Sequence, residues 1–420
     1  MRDAPLLDLV DHFVGCQMAS VSWRKMAHSR FQKIGLPTQK EGSFQYLPLS
    51  RLSEEGRFAP AEDGAISKGE LSAFCLPECR GQYLVMVNGR LRLDLSAIEG
   101  FPSSVVILPL PQALGLKSKR SPYAPFLSGR LTRQIKEEKD PFALLNSSLF
   151  DEGLFLYIPP KTRLDRPIHL LHFTRGKKKM VLTPRVQLFV GAGAKVDLIS
   201  QTVGSGGHLI TEVLDVASEE GATIAHTQLP CPPAEAWFFS SLQGTLARQS
   251  SYEMLFYTRG AKTVRQKCQF SLLGEEARVE FKGLASLEGA NQGHLCTLVS
   301  HEAPHTRSHQ LYKQLLEGNS RGSFEGKIFV DRLAQKTEGY QLCKSLLLGE
   351  HAQANSKPNL EIFADDVKAS HGATVFQLDA QQLLYLKTRG LSEEESRQLL
   401  IEGFTHEILS LIPPYLLSQR

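Results

Sequence analysis

The chain lacks the features that would place it in several large classes. Nowhere do its 420 residues hold an apolar run near the roughly 20 residues a spanning helix needs, so no bilayer crossing is expected. Cysteine is scarce: seven residues, at 16, 75, 79, 231, 268, 296 and 343, widely spaced and odd in number. A secreted disulfide framework is denser and even-numbered, so reduced thiols are expected. Excess charge is missing too, with 48 Lys+Arg against 44 Asp+Glu and a formal net charge of +4. So small a balance over so long a chain leaves no electrostatic footprint for nucleic acid. The first residues, MRDAPLLDLVDHFVG, interleave acids with apolar side chains and do not read as a signal peptide. The expectation is a soluble protein of the cytoplasm.

Catalytic motifs are equally thin. There is no Walker A lysine loop, so any nucleotide work would need a partner, and there is no G-x-S-x-G elbow for a serine nucleophile. His301-Glu302-Ala303-Pro304-His305 spells H-E-x-x-H, but Pro304 would break the helix on which two histidines could face one zinc ion. His309 adds a further four-residue step without metzincin spacing. Cys75 and Cys79 have no second pair to complete a zinc site, and the glycines at 191–193 and 204–207 precede no helix that could hold a phosphate. Asp365 and Asp366, near Lys368, are neighbours and would point to opposite faces of a strand, so they cannot act as facing carboxylates; a turn is the expected place for them.

What is present is pattern. Residues 5–34 have helical spacing at Leu6, Leu9, Val10 and Phe13, and Gly35-Leu36-Pro37 stops the run. Residues 36–150 are mixed: VVILPLP (105–111) reads as a short strand, and the charged stretch 117–140 reads as an exposed connection with some helix. From 155 to 378 the period changes to two. RVQLFV, LITEVLDV (with Glu212 the exception on its face), KCQFSLL, HLCTLVS and GSFEGKIFV alternate and are separated by glycine turns. A single sandwich closes within roughly 100 residues, no linker divides this stretch, and no WD or kelch signature marks a propeller. A mainly β fold follows, a right-handed parallel β-helix with irregular coils. Cys268, Cys296 and Cys343, at alternating positions, are expected in its core.

The tail turns helical again. Asp379 caps a helix with Leu383, Leu384 and Leu386 that ends at Gly390, and Ser392 with Glu395 forms a capping box. The second helix carries Leu399, Leu400, Phe404, Ile408 and Leu411 up to Pro413-Pro414. Two such helices either cap the end of the solenoid or dock a partner. The expected division is a helical and mixed region (1–150), the β-helix core (151–378) and a C-terminal helical domain (379–420). His371, among the small residues of Ala-Ser-His-Gly-Ala, is the histidine that a metal or partner backbone could approach closely.

The string ADDVKASHGATVFQLD (364–379), with LLYLKTRGL (383–391), IEGF (401–404), GLPTQKEGSFQY (35–46), DPFALLNSSLFDEGLFLYIPP (140–160) and TPRVQLFVGAGAKVDL (183–198), resembles the SufB/SufD family of the SUF iron–sulfur cluster assembly system. Ser-His-Gly-Ala, where the SufB branch carries glutamates, is similar to the SufD branch. The resemblance implies a non-catalytic scaffold subunit in a complex with a SufB-like subunit and SufC-like ATPases. It implies no tightly bound cofactor in the isolated chain, and a transient iron or Fe–S cluster in the complex, with His371 as metal ligand. It places Asp365, Asp366, Lys368, Ser370, His371 and Gly372 at the partner interface. It assigns ATPase docking to Tyr385, Leu386, Arg389, Gly390, Leu391, Gly403 and Phe404. Ala369 stands where many family members carry Cys, so no thiol is available there. A free strand surface leaves a homodimer open to the chain when the partner is missing, and the sequence does not fix which state it takes. The rival reading is a purely structural solenoid that never contacts iron.

Overall fold

The computed structural model describes residues 22–37, 42–116 and 121–417. The period-two segments build a parallel β-solenoid of about eight turns. Each coil contributes one strand to each of two walls, a sheet of 11 strands (sheet A) and a sheet of 10 (sheet B). Sheet A runs from Leu154–Ile158 to Gln353–Ile362, and sheet B from Ile168–Thr174 to Val367–Gln377. Leu209 lies opposite Trp237, Trp237 opposite Thr263, and Arg321 opposite Gln353, so coil length drifts between about 26 and 32 residues. That drift is why no short repeat is visible in the sequence.

Alternation sends one set of side chains into a closed lumen. Ile210, Leu214, Val216, Phe238, Leu242, Tyr252, Met254, Phe256, Phe270 and Phe281 belong to one buried cluster. Glu212 does share the inward face, and the lumen accommodates it: its Oε1 accepts from Ser240 Oγ at 2.8 Å and Gln228 Nε2 at 3.0 Å, and burial pushes its carboxyl up from the ordinary range. Cys268 and Cys343 line the lumen as expected, but Cys296 does not: it lies half-buried on the outer face of sheet A beside Arg265 and Lys267. Position 296 is in register with Lys267 and Glu325, one residue out of step with the inward positions.

The N-terminal region covers the outer face of sheet A. The helix expected from residue 5 is described from Ser22 to Ile34; its earlier part lies outside the described residues. The stretch expected as an exposed connection with some helix does hold a helix, Ala124–Glu137, but one packed on the body, with Leu127, Leu131 and Ile135 buried one turn apart; the charges between them hide that stripe. Helix Pro141–Leu149 is buried on every side, and Phe142 stacks on Phe239 of sheet A with centroids 3.8 Å apart. Sheets also reach back across this region: Val106–Pro109 pairs antiparallel with Leu154–Ile158, and Tyr83–Val87 pairs with Ile168–Thr174. One end of the solenoid is thereby closed.

The tail does not cap the other end. Helices Ala380–Thr388 and Glu393–Leu409 begin with the expected Asp379 cap and the Ser392–Glu395 box, but the second helix turns back along the side of the solenoid. Ile408 packs on Leu284 and Leu311, and Ile412 and Leu416 pack with Ile199, Leu229, Leu76 and Cys79. The outer face of sheet B carries an apolar stripe at Ile199, Leu229, Leu284 and Leu311, and the tail buries it. The last coil is left open.

Candidate functional site

The open coil consists of Gln353–Ile362 and Val367–Gln377, each with one neighbour among the described residues. The register places Val367, Ala369, His371, Ala373 and Val375 above Thr337, Gly339, Gln341, Cys343 and Ser345, all five of which are buried. The side chain of His371 is therefore on the lumen-facing side of the last coil, and it is exposed because no further coil covers it. On the opposite wall Ala354, Ser356, Pro358, Leu360 and Ile362 hold the equivalent positions above Gly322, Phe324, Gly326, Ile328 and Val330. The mouth is a shallow, mostly apolar surface with one imidazole in it.

Its backbone is suited to further strand pairing. Gln353 and Phe363 donate inward, to Ser320 O at 3.1 Å and Val330 O at 2.9 Å, so even-numbered residues of that strand turn their amides to the open edge. Pro358 falls on this outward set, where its missing N–H costs the ladder nothing.

Beneath His371 the floor is polar. Gln341 is its register partner, 2 % exposed, with Nε2 donating to Asn359 O at 2.9 Å. Gly326 makes room for that amide, since a Cβ there would come within 2.2 Å of Gln341 Oε1. Gln310 continues the column one coil further in. Cys343 lies under Ala373, fully buried, its thiol pushed up to about 11 by burial, so it is held protonated at neutral pH.

The other sequence-selected residues separate by face. Lys368, Ser370 and Gly372 share the terminal strand with His371 but alternate onto the outer side of sheet B, where Lys368 lies 3.9 Å from Glu338. Asp365 and Asp366 occupy the bend between the two terminal strands, as expected for a turn; Asp366 N donates to Gln335 Oε1 at 3.0 Å. Reading the alternation from His371 finds the apolar lip (Val367, Ala373, Val375) that composition alone passes over.

The tail residues also divide. Tyr385, Arg389 and Gly390 are exposed at the tip of the helical hairpin, with Leu386 and Leu391 half-buried beside them. Arg389 Cζ lies 5.2 Å from the Tyr385 ring centroid. Asp379, Gln381, Tyr385, Leu386, Leu399 and Leu400 line an open groove of about 470 Å³ between the two helices. Gly403 is exposed, whereas Phe404 turns toward the body of the molecule, edge-on to Phe376 of the terminal strand with centroids 5.7 Å apart.

The histidines of the H-E-x-x-H string hold no metal-like arrangement. His301 is fully buried at the end of a strand, its ring nitrogens 2.8 Å from Thr306 Oγ1 and 2.8 Å from Ser308 Oγ, and burial lowers it to about 4. His305 occupies a turn at φ 58°, and His309 is on the outer face of sheet B, 3.6 Å from Glu280. No group of three His, Cys, Asp or Glu side chains that could hold a metal ion occurs among the described residues. No helix among them is long and apolar enough to cross a membrane.

Comparison with known proteins agrees with this geometry. The family model described as "SUF system FeS cluster assembly, SufBD core domain" matches residues 172–404, and the "SufBD protein N-terminal region" model matches 15–170. An iron–sulfur cluster assembly SufBD family protein of Synechocystis is 28 % identical over 94 % of this chain and 87 % of its own length. The iron–sulfur cluster assembly protein SufD of Escherichia coli is 26 % identical over 92 % of this chain and 88 % of its own. Protein ABCI7, chloroplastic, of Arabidopsis thaliana is 30 % identical over 75 % of this chain and 69 % of its own. An open-ended β-solenoid with a helical N-terminal region and these two matches together establish that the chain belongs to the SufBD family of the SUF iron–sulfur cluster assembly system.

Proposed function

We propose that the chain is a non-catalytic subunit of a SUF assembly complex, joined through its open coil to a second, SufB-like solenoid, and through its tail hairpin to a SufC-like ATPase. The observation that carries this is His371, an exposed imidazole on a terminal strand with one edge open, at the mouth of the lumen. An imidazole is a good ligand for iron, but one ligand is not a site. No group of three His, Cys, Asp or Glu side chains that could hold a metal ion forms around it among the described residues, so in this reading the remaining ligands to iron or a nascent cluster come from the partner. The cluster is cargo in this reading and is not resident in the isolated chain. Strand pairing along the open edge supplies the orientation, and the apolar lip excludes water once joined. The chain acts in a reducing compartment such as the cytoplasm, consistent with its free cysteines.

Anaerobic reconstitution with iron and sulfide tests this. The assembled complex should develop cluster absorbance, and His371→Ala in the same complex should lower it several-fold while all subunits still co-purify. Wild-type yield from His371→Ala would leave the purely structural solenoid standing. Alone, the chain should pair with a second copy through the same edge, measurable by sedimentation.

A further inference from the structure

Besides the apolar stripe, the tail hairpin is tied to sheet B in two ways. One is covalent: Val367–Gln377 runs through residues 378–379 into helix Ala380–Thr388. The other is a buried lysine. Lys313, on the outer face of strand Arg307–Leu316, is 5 % exposed, and its Nζ donates to Phe404 O at 2.6 Å and to Glu407 Oε2 at 2.6 Å. The ammonium also lies 5.0 Å from the Phe404 ring centroid. That ring meets Phe376, five residues beyond His371 on the terminal strand.

A lysine so covered is costly unless every contact favours its charge, and here a carbonyl, a carboxylate and an aromatic face all do. Glu407 feels the pairing: the hydrogen bond from Lys313 holds its carboxyl below the usual range, helped by Lys344 and Lys282. An apolar residue would have sealed this stripe, as Leu284 and Leu311 do beside it. What the lysine adds is direction, fixing one turn of helix Glu393–Leu409 at one place on the sheet while the hairpin tip stays free.

We propose that Lys313 is the pin of a lever: force applied at the hairpin tip pivots helix Glu393–Leu409 about Lys313 and reaches the strand carrying His371 through Phe404 and Phe376. This inference rests on the ATPase-docking reading above and names how docking would be felt at the mouth. Lys313 is a positioning residue, touching neither cargo nor nucleotide.

The test uses the complete complex with partner solenoid and ATPase. Lys313→Met should keep the ATPase bound and turning over ATP, yet lower cluster formed per ATP about fivefold or more. Lys313→Arg, which keeps a donor for the carbonyl and carboxylate, should restore most of it. Phe376→Leu, at a position 41 % exposed where folding is not at risk, should reproduce the loss by cutting the other contact. Wild-type yield per ATP in both Lys313→Met and Phe376→Leu overturns the pin, as does loss of the ATPase together with yield, which would make Lys313 a docking prop. If the wild-type complex itself holds no ATPase, the docking reading fails first, and that outcome is visible before any variant is made.

Discussion

Gln341 stands directly beneath His371, one coil down, with its amide tied to the Asn359 carbonyl at 2.9 Å. The imidazole is thus mounted over a fixed polar floor, and the floor depends on a glycine. Gly326→Ala would place a methyl group 2.2 Å from Gln341 Oε1 and 2.7 Å from Phe324 Cζ. We expect about 1–3 kcal/mol of destabilisation from overpacking, read by denaturant unfolding. An unchanged midpoint would show that Gln341 is free to swing aside.

His371→Ala should behave differently. The residue is exposed on an edge strand, so its loss should change stability by no more than about 0.5 kcal/mol. Normal unfolding combined with poor cluster yield separates a ligand from a structural residue.

The tail must be tested at its tip, not by deletion. Removing residues 379–420 would strip the cover from Leu284, Leu311, Leu76 and Cys79, and loss of ATPase binding could then reflect an exposed apolar stripe. Tyr385→Ala with Arg389→Glu alters only exposed side chains. ATPase co-purification should be lost at unchanged melting temperature; retained binding would show that the tail is only a strap. Ile408→Ala, at a fully buried position, should instead cost about 2–5 kcal/mol.

Acid should destabilise the fold well before carboxylates titrate. Burial lowers His172, His226 and His294 to about 3, and His169 and His301 to about 4. These side chains are neutral when folded, while the unfolded chain takes up protons below the ordinary histidine value of about 6.5. Their contribution is whole above that value and is lost as pH falls from it toward 4, by up to about 1.4 kcal/mol per histidine per pH unit. Glu212, raised by burial, acts in the opposite sense and offsets only part of this. Urea unfolding at pH 7, 6 and 5 should show a steadily falling midpoint, and a flat profile would contradict the burial.

Arg265 and Asp140 form a buried pair at 2.5 Å, each side chain 3 % exposed, and Asp140 also caps helix Pro141–Leu149 by accepting from Phe142 N at 2.9 Å. Arg265→Met should cost about 3–5 kcal/mol, because it leaves the carboxylate buried without its cation. A variant as stable as wild type in thermal unfolding would mean that Lys267 moves in to replace the guanidinium.

Period two over some 220 residues was enough to specify stacked strands, because most inward positions are small or apolar, the polar exceptions such as Glu212 and Gln341 being hydrogen-bonded, and turn residues separate the runs. The caps at Asp379 and Ser392 were equally legible, since capping is settled within four residues. Local sequence could not show where the tail helices lie. Their apolar faces suit a solenoid end as well as a solenoid side, and only the stripe of Leu255, Leu284 and Leu311, assembled from three successive coils, selects the side. The buried face of helix Ala124–Glu137 was hidden for a similar reason, its three buried residues being diluted by surface charge.

The sequence by itself determined that the chain winds into a solenoid and that a histidine lies near its last strand, because strand periodicity and turn chemistry act between neighbours in the chain. Only the tertiary structure decided that this end stays open, that His371 looks into the mouth, and that Lys313 ties the tail to its wall. Those outcomes depend on which faces meet across coils 26 to 32 residues apart, and side-chain packing over that distance leaves no local mark.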